Sequence, residues 1–88
     1  VRGEKREKIP AVTHVDGTGR LQAVHKEVSP RYHWLIEKFG KATGESVVLN
    51  TSFNLRGEPI VNTPANSYRT FMASEMDRLV VGNFLLTK

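Results

Sequence analysis

Four small hydrogen-bonding side chains, Asn50, Thr51, Ser52 and Asn54, fall within five positions, with Arg56 and Gly57 close behind. They continue from Val47-Val48-Leu49, an apolar run with two β-branched residues that predicts a short buried strand. In open α/β sheets, ligands sit outside the carboxyl ends of strands. A donor-rich turn at that place, with a guanidinium two residues on, suits an anionic oxygen-rich group such as phosphate. Arg20, near Asp16 and Thr18 on an upstream turn, extends the set. The candidate binding residues are therefore Arg20, Asn50, Thr51, Ser52, Asn54 and Arg56. The bland alternative stands beside this one. The same residue types close Asx and Ser/Thr turns and leave arginines on the surface.

Other chemistries have less support. The chain has no cysteine, which excludes a thiol nucleophile, thiolate metal sites and a disulfide scaffold. That composition fits a reducing compartment, and a cytoplasmic location is expected. Ser52 lacks the G-x-S-x-G setting of a hydrolase elbow. Neither a Walker loop nor G-x-G-x-x-G is present. His14, His25 and His33 are too dispersed for a local metal motif. His14 is expected to be a structural histidine. The constellation is one of binding rather than catalysis, with no catalytic residue or metal ligand assigned.

The elements that must position these residues are short. Eighty-eight residues with 39% hydrophobic content make at most one small domain with a modest core. The chain begins at Val1 without a signal-like run, so it reads as a single fragment of a longer protein. No stretch is long and apolar enough to cross a bilayer. The net charge of +4 comes partly from Arg2, Lys5, Arg6 and Lys8, set among Glu4 and Glu7. Residues 1–8 are expected to be a frayed, solvated basic tail.

Ile9 to Val15 is expected as a strand with Pro10 near its start, where a missing N–H is tolerated. Asp16-Gly17-Thr18-Gly19 is a turn signal, and Arg20 to His25 would return as the second strand of a hairpin. Ser29-Pro30 opens a helix whose stripe is Tyr32, Leu35, Ile36 and Phe39, with Gly40 or Gly44 to end it. Trp34 lies off that stripe. Pro59-Ile60-Val61 suits an extended piece. Thr63-Pro64 repeats the helix-start signal before Ala65, Tyr68, Phe71 and Met72. Leu79-Val80-Val81 is expected as a buried strand, broken by Gly82-Asn83 before Phe84-Leu85-Leu86. The alternation predicts an α/β (α+β) fold: a mixed twisted sheet with two amphipathic helices.

Two long segments, Ile9 through Gln22 and Leu49 through Val61, resemble the C-terminal region of the NodU-type O-carbamoyltransferases. These include nodulation proteins and antibiotic-tailoring enzymes. The resemblance continues through Thr63-Pro64, Arg69-Thr70-Phe71 and Leu79 to Asn83. It implies a partial YrdC-like domain that binds carbamoyl phosphate and ATP, the latter with Mg, and makes carbamoyl adenylate. It also implies a separate N-terminal domain that carries the family's metal and passes the carbamoyl group to a hydroxyl acceptor. Ser52-Phe53-Asn54 matches the Ser-x-Asn element of YrdC-like anion sites. The Lys/Arg element that accompanies it upstream has no counterpart. Gly19 stands where the family often has Ala, and Asn66-Ser67 replaces an acidic pair.

The resemblance thus implies an enzyme as the parent and an inactive isolated fragment. The implied partners are carbamoyl phosphate, ATP and the parent's own N-terminal domain, with no membrane. Two alternatives come from other classes: an RNA-binding module, and a docking domain without ligand. Against the first, basic residues do not cluster with aromatics as stacking platforms require.

Overall fold

Proline marks where the helical segments begin in a computed structural model that describes residues 1–88. The elements are α1 (Gly3–Arg6), a 3-10 turn (Pro10–Val12), α2 (Pro30–Thr43), α3 (Pro64–Ala73), β1 (Arg78–Val81) and β2 (Phe84–Thr87). Pro10, Pro30 and Pro64 stand in the first turn of three of them, where a fixed φ helps and a missing N–H costs nothing. The chain divides into two compact units, Val1–Asn50 and Thr51–Lys88.

In the first unit, residues 1–8 carry the helical turn α1 where a frayed tail is expected, and Lys5 Nζ lies 3.1 Å from the Glu45 carboxylate. The expected hairpin over residues 9–25 is not a hairpin. Pro10 starts a 3-10 turn, and Thr13 Oγ1 donates to the Ile9 carbonyl at 2.8 Å, which curls the segment. The turn between the arms does form. His14 N–H donates to the Thr18 carbonyl at 2.7 Å, but no further backbone bond joins the arms. A ladder of one bond does not propagate a sheet.

Helix α2 runs as its pattern predicts and ends at Gly44, whose φ of 92° is the left-handed conformation glycine accepts without a Cβ penalty. Ser29 does not cap it through its side chain. Its apolar stripe stays open, with Leu35 at 54% and Phe39 at 42% exposure. Off the stripe, Trp34 carries the Lys38 ammonium 5.6 Å from its ring centre. A Cβ on Gly40 would lie 1.9 Å from Ser46 Oγ and 3.0 Å from Ser46 Cα. Gly40 therefore lets the returning chain pass against the helix. At Ser46 that chain leads into Val47-Val48-Leu49, which has no regular secondary structure and is not the expected strand. Its backbone makes no ladder bond, and a strand without a partner has nothing to pair its N–H and C=O groups.

In the second unit, α3 is capped as its sequence predicts. Thr63 Oγ1 accepts from Asn66 N–H at 3.1 Å. The helix packs on β1. The buried residues of the pair are Phe71 at 1% exposure, Leu79 at 8%, and the small polar Ser67 and Thr70. Ser67 is satisfied within the helix, donating to the Pro64 carbonyl at 2.6 Å. The buried face is thus rotated from the expected one, and Tyr68 and Met72 are exposed. The Lys88 ammonium lies over the Phe71 ring and donates to the Phe71 and Ser74 carbonyls. A cation there meets the negative end of the helix dipole.

Strands β1 and β2 pair antiparallel, Leu79 opposite Leu86 and Val81 opposite Phe84. Gly82 alone of the two turn residues has positive φ, 57°, the pattern of a type II′ hairpin turn. The α+β class and the two amphipathic helices stand. The sheet is two antiparallel strands rather than a mixed sheet.

Candidate functional site

The first unit contains an open cleft of about 1160 Å³. Arg20 and Asn50 line it, together with His14, Gln22, His33 and Glu37. Both candidates are exposed. Asn50 Nδ2 donates to Gln22 Oε1 at 3.3 Å, joining residues far apart in sequence. Arg20 follows the tight turn at Asp16. Thr18 donates to Asp16 Oδ1 twice, from its hydroxyl at 2.6 Å and its N–H at 3.0 Å. Those two bonds, the hydroxyl's first, hold the Asp16 carboxyl below its usual value. Glu37 pairs with Lys41 at 3.3 Å, and His33 Nδ1 is 3.9 Å from it.

The other four candidates lie in the second unit. Thr51 and Ser52 are exposed. Asn54 and Arg56 belong to a closed loop. Val61 N–H donates to the Phe53 carbonyl at 2.9 Å, and Glu58 N–H to the Leu55 carbonyl at 3.0 Å. Arg56 and Gly57 are the central residues of the inner turn. Gly57 has φ 85°, the conformation that a type II turn places at its third residue. Asn54 Nδ2 crosses this loop to the Leu55 carbonyl at 3.2 Å and the Glu58 carbonyl at 2.9 Å. Arg56 itself is exposed.

This unit also holds a shallow cavity of about 390 Å³, lined by apolar residues such as Phe53, Val61 and Leu79 with Ser67 among them. None of the four loop candidates lines it. Arg20 and Asn50 therefore share one cleft, while Asn54 and Arg56 share one loop.

Sequence reasoning missed Gln22, because a partner 28 positions away leaves no periodic signal. It also missed the inward turn of Asn54, for which an Asn close before a Gly turn was the available cue. The chain brings no three His, Asp or Glu together to hold a metal ion. No helix is long and apolar enough to cross a membrane.

A small α+β chain with these donor loops matches one family along its whole length: it belongs to the family described as Carbamoyltransferase C-terminus, matched over residues 1–88. Among its relatives, an uncharacterised protein of Synechocystis is 54% identical over 94% of this chain. The nodulation protein NolNO of Sinorhizobium fredii is 48% identical over 100% of it. The 3'-hydroxymethylcephem-O-carbamoyltransferase of Streptomyces clavuligerus is 36% identical over 85%. The chain spans 13% or 14% of the length of these relatives.

Proposed function

We propose that this chain is the C-terminal part of an O-carbamoyltransferase and helps to bind carbamoyl phosphate and ATP for formation of carbamoyl adenylate. The carbamoyl group then passes to a hydroxyl acceptor on the parent's own N-terminal domain. The observation that carries this reading is the family match across residues 1–88, with a named O-carbamoyltransferase among the relatives. The residue chemistry supports it. Forming an acyl adenylate from two polyanionic substrates requires positioning and charge neutralisation around phosphates. Arg20 and Arg56 offer planar guanidinium forks suited to phosphate oxygens, and Asn50, Thr51 and Ser52 offer neutral hydrogen-bonding groups. No three carboxylate or imidazole groups converge, and no step is assigned to a metal.

The test uses the full-length parent. With carbamoyl phosphate, ATP and water together, it is expected to release orthophosphate from carbamoyl phosphate and pyrophosphate from ATP, and with ATP alone it is expected to release neither. The isolated chain is expected to do neither, since its arginines supply only part of the neutralisation. Arg56→Lys in the parent is expected to leave the melting temperature unchanged. It is expected to weaken binding of one substrate by about 1–3 kcal/mol, the range for a charge-assisted hydrogen bond. Pyrophosphate release that ignores carbamoyl phosphate would overturn the reading.

A further inference from the structure

We infer that Asn54 is a positioning residue, which acts by fixing the turn that carries Arg56, and is not itself an anion donor. This inference rests on the proposed anion-binding role of Arg56. To contact a phosphate oxygen, an asparagine must donate through Nδ2, because Oδ1 only accepts. Both Nδ2 hydrogens of Asn54 are committed, to the Leu55 carbonyl at 3.2 Å and the Glu58 carbonyl at 2.9 Å. The orientation of the amide follows from chemistry: two carbonyl oxygens face it, so the nitrogen must point at them.

These two carbonyls flank Arg56 and Gly57, the central residues of the turn that Glu58 N–H closes. One side chain therefore ties together both ends of the four-residue turn that presents the guanidinium. Asn54 is half-buried and Arg56 exposed, as expected of a brace and the group it carries. Removing the brace leaves Arg56 in place chemically. It frees the turn, so binding must then supply the ordering that the loop had already provided. Serine, a common turn residue, cannot replace this clamp, because a single hydroxyl hydrogen cannot satisfy two carbonyls.

The test is a double-mutant cycle in the full-length parent, read as KM for carbamoyl phosphate and for ATP. Arg56→Ala is expected to raise one of those KM values on the order of tenfold or more, as loss of a charge-assisted bond does. Asn54→Ala is expected to raise the same KM severalfold with little change in kcat. In the Arg56→Ala background, Asn54→Ala is expected to add nothing, since its effect passes through the missing guanidinium. Asn54→Asp, which keeps the size but loses both donors, is expected to behave like Asn54→Ala.

Independent, multiplicative effects of the two substitutions would overturn the inference and restore Asn54 as a direct contact. An unchanged KM in Arg56→Ala would instead remove the role of Arg56 itself, and with it the premise. Melting temperatures of all variants separate loosening of one loop from loss of the fold.

Discussion

Asp16 Oδ1 accepts two hydrogen bonds from Thr18, and both favour the ionised carboxylate. The folded value therefore lies below the unfolded one. The turn's stabilisation is complete above the ordinary carboxylate range and is lost as pH falls through the lowered value. Thr18→Val removes the stronger cause while keeping the shape of the side chain. It is expected to move the Asp16 titration back toward its usual value, as followed by NMR of the carboxyl carbon. An unmoved titration would refute the assignment to the Thr18 hydroxyl. At this scale much was legible in the sequence. The cluster of small polar residues before Arg56 marks a hydrogen-bonded turn by composition alone. The direction of the Asn54 amide was not legible, because spacing brings donors near one another without saying which carbonyls they meet.

Among the elements, α2 and α3 were legible and the early strands were not. Three independent signals agree at α3: a Thr cap, a following Pro, and an apolar residue at Phe71. Strand formation depends on something the residues themselves do not encode, a partner for each N–H and C=O. Val47-Val48-Leu49 has the right residues and no ladder. Leu79-Val80-Val81 has the right residues and a partner in β2, a few residues further along the chain across one tight turn. Just before the 47–49 segment, Ser46 passes close against α2 at Gly40, which has no side chain to block it. Gly40→Ala gains helix propensity worth about 1 kcal/mol. It also places a Cβ 2.9 Å from Ser46 Cβ and 3.0 Å from Ser46 Cα, and such overpacking costs about 1–3 kcal/mol. The expected net result is a lower melting temperature of the full-length parent. Ser46→Gly in the same background is expected to recover part of the loss. A Gly40→Ala protein that melts higher would show that the approach is not tight.

For the whole molecule, the size of the buried core is the informative quantity. Only Phe71 and Leu79 are buried apolar residues, and each such side chain contributes about 1.5–3 kcal/mol. That is little against the conformational entropy of the chain. The isolated 88 residues are therefore expected to bind a hydrophobic dye such as ANS and to melt without a sharp heat-capacity peak. A cooperative calorimetric transition without dye binding would contradict this.

The closed loop also has a consequence for enzymes that cut polypeptides. Arg56 is exposed at the tip of its loop, so the bond after it is visible to trypsin. A protease draws its substrate into an extended form, which this loop denies while Val61 stays bonded to Phe53 and Asn54 to Leu55 and Glu58. When opening and reclosing are fast relative to the cut, the rate of cleavage tracks the fraction of molecules whose loop is open. Scission after Arg56 thus becomes a clock for a single loop: it is expected to run faster when the Asn54 amide is removed and, under the proposed role of Arg56, slower when a bound anion holds the guanidinium in place.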